Sequence, residues 1–302
     1  MVSSVANLLA VLAFAPFLLG VINRTKAVVA GRKGPPAFQV YYDLVKLFGK
    51  GFVASRTTTW VFLAGPVLSV AAPLVALILL PLAGLPATLS FPGDMLLFVG
   101  VFALARFFVA AAAMDTGSPF EGMGAAREVT FSALVEPALL FGMLALTRLS
   151  GSLSLTGMLD VRAAGAWQKA SASVVLILAS WFIVLLAENA RVPFDDPNTH
   201  LELTMIHEAM VLDHSGPAFG FVLYGAALKL TVFAALLVTL LIPAGPGGGV
   251  LDLLLFAGGL AGVGVVVGLV ESSMARLRLV RVPQLLVTAT LLAGFAVVLL
   301  VR

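Results

Sequence analysis

The chain has 302 residues, 61% of them apolar, with 18 Lys and Arg against 15 Asp and Glu. A typical soluble domain is about 45–50% apolar and about 25% charged; here charged residues make up 11% and mean hydropathy is +1.10, which excludes a soluble globular domain, a disordered chain and a conventional nucleic-acid binder. Cysteine is absent, so this chain forms no disulfide, ligates no iron–sulfur cluster through sulfur and has no thiol chemistry.

Eight long apolar stretches follow one another, near 3–22, 60–82, 95–114, 129–148, 171–190, 217–243, 250–271 and 283–301. Each suits a membrane crossing of roughly 20 residues. The expected fold is an all-α integral membrane protein with eight transmembrane helices in a single membrane domain, 1–302. The first stretch has the length of a signal peptide. However, Met1 to Asn7 lacks a basic start, and no small-residue cleavage site precedes Arg24 and Lys26, so it is read as a retained helix.

After Gly31, Gly34, Pro35 and Pro36, the segment Ala37 to Lys50 repeats Phe38, Tyr41, Leu44, Val45 and Phe48 at helical spacing. Gln39, Asp43, Lys46 and Lys50 fall off that face. This predicts an amphipathic helix lying at the membrane interface. The same loop carries Arg24, Lys26, Arg32, Lys33, Lys46, Lys50 and Arg56. Arg127, Arg191, Arg276, Arg278 and Arg281 join them on one face, against Arg148, Arg162, Lys169 and Arg302 on the other. The positive-inside rule then puts the large loops in the cytoplasm and both termini outside.

The loop between the fifth and sixth stretches breaks that pattern. From Glu188 to His214, 27 residues hold Glu188, Asp195, Asp196, Glu202, Glu208, Asp213 and all three histidines, with Arg191 as the one Arg. His207-Glu208 begins like a zinc-protease motif, but Val211 stands where its second histidine is required. His200, His207 and His214 recur every seven residues, which predicts one helical stripe spread over about 21 Å, too long to share a metal. Thr199 with Glu202 fits a capping box that starts a short helix in this loop. No metal site is expected.

Three charges fall inside predicted helices. Counting about 1.5 Å per residue, Glu136 lies roughly 10 Å and Arg106 roughly 12 Å from the cytoplasmic end, which makes them a candidate pair. Lys229 lies near the midplane with no partner at its depth. Glu188 and Glu271 mark the cytoplasmic ends of the fifth and seventh helices. A charge at such depth is costly and usually serves function. From the midplane outwards only edge groups such as Asp94, Arg148 and Asp252 are ionisable. The polar path therefore runs from the cytoplasm to the middle and stops, which suits a subunit that passes charge or strain sideways to a neighbour.

Glu188-x-x-Arg191-x-Pro-Phe-Asp195, followed by an acidic stretch and Ser215-Gly216, resembles the signature loop of the complex I membrane subunit-1 family. Gly124-Ala-Ala-Arg127 with Glu136, Gly31-Arg-Lys-Gly-Pro-Pro with Leu44-x-Lys46-Leu-Phe-x-Lys50, and Arg276-x-Arg278-x-x-Arg281-x-Pro are similar to other motifs of that family. The run from Asp196 to Met210, Glu271-Ser-Ser-Met-Ala-Arg-Leu-Arg and Ala227-Leu-Lys229-Leu resemble its energy-converting nickel–iron hydrogenase branch, formate hydrogenlyase included. Complex I itself has a different, Glu-rich run after the Asp.

The resemblance implies a non-redox membrane-anchor and coupling subunit of a multi-subunit oxidoreductase. It would link redox chemistry in a cytoplasmic arm to proton or sodium translocation. Implied partners are hydrogenase-like large and small subunits, an iron–sulfur subunit, antiporter-like membrane subunits and the lipid bilayer. Iron–sulfur clusters, and nickel–iron in some members, would sit in those partners, with no cofactor on this chain. Glu136, Lys229, Arg106, Glu188, Glu202, Glu208 and Glu271 are the candidates for proton or ion coupling. Arg127, Arg191, Asp195, Asp196, His200, His207 and Asp213 are the candidates for the junction with the arm, with Arg191 and Arg127 expected to hold its carboxylates. Alternatives are a quinone-binding subunit of a complex I-like oxidoreductase, a stand-alone ion transporter and a purely structural anchor.

Overall fold

The computed structural model describes residues 2–160, 165–195, 205–242 and 249–301. Within them run twelve α-helices: α1 (Val2–Val29), α2 (Gln39–Phe48), α3 (Trp60–Leu79), α4 (Asp94–Asp115), α5 (Pro119–Ser150), α6 (Leu155–Leu159), α7 (Ala166–Lys169), α8 (Ser171–Glu188), α9 (His207–Met210), α10 (Gly216–Leu241), α11 (Val250–Ser273) and α12 (Val282–Val301). α1, α3, α4, α5, α8, α10, α11 and α12 are long and apolar enough to cross a membrane. The chain is an all-α, multi-pass membrane protein. An even number of crossings brings residues 2 and 301 to one end of the bundle. The loops containing residues 30–59, 116–118, 189–195 and 274–281 share the other, called the basic end below.

Helix α10 is the hub. It packs against α1, α2, α3, α8 and α11. In its most apolar window 72% of residues are buried, against 22% in the last span. Protein rather than lipid therefore surrounds most of α10. Association inside a bilayer gains little from water exclusion, so close packing drives it. Gly225 provides this on α10: a Cβ there would stand 2.4 Å from the Ser69 carbonyl oxygen on α3. That carbonyl is available because Pro73, four residues on, has no N–H to donate to it. Around the hub, α4 bridges α3 to α5, α12 fills the groove between α5 and α8, and α11 pairs with α1.

Two elements differ from the sequence expectation. Helix α5 starts at Pro119 rather than near 129 and runs for 32 residues, roughly 48 Å, longer than a hydrocarbon core of about 30 Å. Glu121, Arg127 and Glu128 look like loop charges in sequence, but α5 turns them toward protein; Glu121 is almost fully buried. Helix α2 forms, yet its docked face is Val40 and Leu44, packed toward α1 and α10, while Phe38, Val45 and Phe48 of the expected stripe are exposed. The helix has two apolar flanks, and periodicity alone does not tell which one meets protein.

At the end opposite the basic loops, Asp94 is fully buried rather than an edge group. Its carboxylate accepts the Leu155 N–H at 2.7 Å and the Phe91 N–H at 3.4 Å, joining the start of α4 to α6. It is a structural cap.

Candidate functional site

Helix α8 is the shortest span, 18 residues ending at Glu188. The chain does not then leave the bundle. Val192, Phe194 and Asp195 are buried, and so are Met205, Ile206, Ala209, Met210 and Val211. Both ends of the acidic loop thus fill the mouth at the basic end. Asp195 fastens them together: one oxygen accepts the N–H groups of Ile206 at 3.0 Å and His207 at 3.2 Å, and the other faces Arg276 at 3.2 Å. The Leu277 N–H donates to the Pro193 carbonyl at 3.0 Å. On the other side Gly124 lets α5 approach closely, since a Cβ there would lie 2.9 Å from the Ile206 carbonyl. Arg127 donates to the Met205 carbonyl at 3.1 Å.

Because the loop is packed into the mouth, Glu188 sits below the surface of the bundle and not at its rim. Four charges from four helices meet there. Arg106 of α4 donates to Glu136 of α5 at 2.6 Å and to Glu188 of α8 at 3.0 Å. The second Glu188 oxygen lies 2.8 Å from the Lys229 Nζ of α10. The order is Glu136–Arg106–Glu188–Lys229. This corrects the expectation that Lys229 lacks a partner at its depth. Glu188 lies deeper than its place in the sequence suggests, and the lysine stem reaches toward it. Glu136 lies roughly 17 residues into α5, about 26 Å from its first residue, because the helix begins earlier than the apolar run suggests; its contact with Arg106 keeps the two at a common depth. Each charge has an opposite neighbour, which offsets part of the cost of taking it out of water.

A cavity of about 90 Å³ opens beside this chain. Its lining combines Arg106, Glu188, Lys229, Glu128, Asn189, Arg191 and His207 with the apolar Phe102, Val109, Met210 and Val222. Ser69 and Pro73, at the helical break of α3, complete it. The charged groups in its lining offer water hydrogen-bond partners within an otherwise mostly apolar space.

The remaining candidates divide by position. Glu271, at the end of α11, has a fully buried side chain between Lys26 at 2.8 Å and Arg191 at 3.5 Å. Arg191 therefore holds Glu271, and Asp195 takes its cation from Arg276 rather than from Arg191. Glu208 lies on α9. The Asp213 N–H donates to Glu121 at 3.0 Å. The proposed histidine stripe does not form between His207 and His214, because α9 ends at Met210 and His214 instead stacks on Phe62, ring centroids 4.1 Å apart. Asp196, His200 and Glu202, with the Thr199 capping box, lie outside the described residues, so the short helix seen in this loop is α9. Among the described residues no group of three His, Cys, Asp or Glu side chains converges on a metal-sized site.

Sequence reasoning passed over Glu121, Glu128, Lys26 as a partner of Glu271, and Arg276 as a partner of Asp195. The available signal was Glu128 directly after Arg127, one turn before a long apolar run. His207 is pushed down to about 4 by burial, with Lys229 and Arg191 adding to the shift. His214 is pushed down to about 4 by burial, with Asp213 opposing it. Both imidazoles are neutral at pH 7.

Chemically, the site can hold, share and move charge between a buried ion-pair chain and the loop that closes the mouth. Residues 2–302 match the family described as NADH dehydrogenase. Formate hydrogenlyase subunit 4 of Escherichia coli (strain K12) is 34% identical over 284 residues, covering 92% of this chain and 91% of that protein. Hydrogenase-4 component C of the same organism is 32% identical over 242 residues, 80% of this chain and 75% of that one. A chain in the structure of the membrane-bound sulfane sulfur reductase, an archaeal respiratory membrane complex, has the same fold. Its TM-score is 0.85 at 20% identity, with 99% of this chain and 98% of that chain covered. With the whole described bundle covered and two relatives above 30% identity, the chain belongs to the NADH dehydrogenase family of complex I subunit 1.

Proposed function

We propose that this chain is the membrane-anchor and coupling subunit of a respiratory complex I-like or membrane-bound hydrogenase complex. It would link redox chemistry in a cytoplasmic arm to proton or sodium translocation. In this reading the basic end faces the cytoplasm of the inner membrane and both termini lie outside. The arm comprises hydrogenase-like large and small subunits and an iron–sulfur subunit, and antiporter-like subunits lie beside the bundle. Electrons travel in the arm, on its iron–sulfur clusters and, where present, nickel–iron, because this chain has no cysteine to ligate a cluster.

One observation carries the reading: the chain Glu136–Arg106–Glu188–Lys229 passes through Glu188, the residue next to the loop that closes the mouth. Glu188 is the last residue of α8, and the next seven residues lead to Asp195, which ties both loop ends to Arg276. A push on the loop from a docked arm moves Glu188, and Glu188 is shared by Arg106 and Lys229. Re-pairing those two cations changes the field at Glu136, on the far side of Arg106. Close carboxylates in such a cluster titrate together.

The test is Glu136→Gln in the assembled membrane complex, with redox turnover and ion movement measured together. The expected result is redox-driven ion movement reduced relative to turnover. Wild-type values of both would remove Glu136 from the coupling path. Ion flux in liposomes holding this chain alone would favour a transporter instead. Activity with an added quinone, compared with ferredoxin or formate as donor and protons as acceptor, sorts the coupling reading from a quinone-reducing one.

A further inference from the structure

A second, water-sized cavity of about 20 Å³ adjoins the first, bounded by Phe131, Ser132, Ala190, Phe194, Asp195 and Ile206 among others. Both lie against the described ends of the acidic loop, and the larger one also reaches Lys229 and Pro73. Two residues line both, Glu128 and Glu188. They differ in their neighbours. Both oxygens of Glu188 face cations, Arg106 at 3.0 Å and Lys229 at 2.8 Å. Glu136 and Glu271 are ion-paired too. Among the described residues no cation stands within 4.0 Å of the Glu128 carboxylate. Lys229, Arg106, Glu188 and Asp195 all lie within electrostatic range of it.

A carboxylate clamped by two cations keeps its charge, because losing it would leave both cations unbalanced. A carboxyl group on the wall between two cavities, with a lysine near but not bound, is able to change its proton. We propose that Glu128 is the group through which a proton passes between the two cavities, and that Lys229 exchanges Glu188 for Glu128 as it does so. This rests on the coupling reading and names the step inside it.

While Glu128 is neutral, Lys229 stays on Glu188. When the Glu128 O–H bond breaks, the proton leaves to water in the larger cavity and a carboxylate remains. That carboxylate competes for Nζ, and the lysine stem is long enough to swing. Glu188 does not lose its compensation, since Arg106 still holds it at 3.0 Å. A proton arriving from the smaller cavity forms the O–H bond again and returns Lys229 to Glu188. The charged groups facing this site are Arg106 from α4, Glu188 from α8, Lys229 from α10, and Arg191 and Asp195 from the loop; His207 faces it neutral. No proton has to cross an apolar wall, because Glu128 belongs to both spaces.

The experiment compares Glu128→Gln, Glu128→Asp and Glu136→Gln in the assembled complex. It measures ion movement per electron and the infrared C=O stretch of a protonated carboxyl group during turnover. Glu128→Gln is expected to lower the rate of ion movement by about 100-fold or more, the usual weight of one positioned proton donor, to lower ion movement per electron with it, and to remove one such band. Glu128→Asp is expected to keep the band and recover part of the movement. If Glu128→Gln keeps both the band and the movement while Glu136→Gln abolishes movement, Glu128 is not the relay and the coupling reading stands. If neither variant alters movement, the coupling reading itself fails. Should Glu128→Gln not assemble, Glu128→Asp decides: a normal complex with no turnover-dependent band overturns the assignment.

Discussion

The two halves of this bundle are built from similar helices and carry opposite kinds of polar group. At the basic end, charges come in shared chains: Arg106 serves Glu136 and Glu188, Glu188 serves Arg106 and Lys229, and Glu271 serves Lys26 and Arg191. At the other end, Asp94 spends its carboxylate on backbone N–H groups that open a helix and tie it to α6. A carboxylate that accepts fixed backbone donors is locked. A carboxylate shared between two mobile cations has more than one arrangement of similar energy, as a coupling device requires. The contrast teaches that a buried charge acquires a role from the number and freedom of its partners and not from burial alone.

The largest effect that would break this contrast comes from Arg106→Ala. It strands Glu136 and half of Glu188 together, and the expected loss of bundle stability is about 3–5 kcal/mol, the cost of leaving a buried charge unpaired. Thermal unfolding in detergent checks it; a drop no greater than that of a lipid-facing substitution would show the chain to be ornamental. Asp94→Asn, in the locked half, should cost about 1–3 kcal/mol through weakened capping. It should leave ion movement per electron untouched in the assembled complex. Gly225→Val forces a side chain into the Ser69 carbonyl and should cost about 1–3 kcal/mol by overpacking. Its signature is lost coupling out of proportion to lost stability, since the strained contact is one turn from Lys229.

A smaller effect follows from His207. Its imidazole stays neutral in the folded mouth, down to about pH 4, against an ordinary value near 6.5. Between those two values the opened state binds a proton that the closed state does not, so acidification favours opening. The packing of the loop ends is therefore expected to be insensitive to pH above about 6.5 and to weaken steadily as pH falls toward 4. Hydrogen exchange of residues 205–211, run at pH 7 and pH 5, measures this, and His207→Asn should flatten the response. The smallest expected change is at Leu291, which faces outward on α12. Leu291→Ala should shift stability by no more than about 0.5 kcal/mol, which sets the baseline for the other variants.

Much of this was legible beforehand. The eight spans followed from run length, because a bilayer demands about 20 apolar residues per helix. The candidate pair Arg106 and Glu136 followed from depth. What failed were depths computed from rims that the sequence does not mark. Glu188 was placed at a helix end, which is correct along the chain. It was not placed inside the bundle, where Lys229 meets it. Glu128 went unnoticed because it precedes the expected start of its helix, although α5 had already begun at Pro119.

Composition and periodicity by themselves determined that this chain is a membrane bundle, where its helices run, and that no electron carrier is bound through cysteine. The reason is that the bilayer acts on each segment separately, so its demand is written locally in the run of residues. The tertiary structure decided which carboxylate each cation holds. It also decided which flank of α2 meets protein, and that Glu128 stands between two cavities. Those outcomes depend on distances between helices far apart in sequence, set by contacts such as Gly225 on the Ser69 carbonyl and the loop ends closed by Asp195.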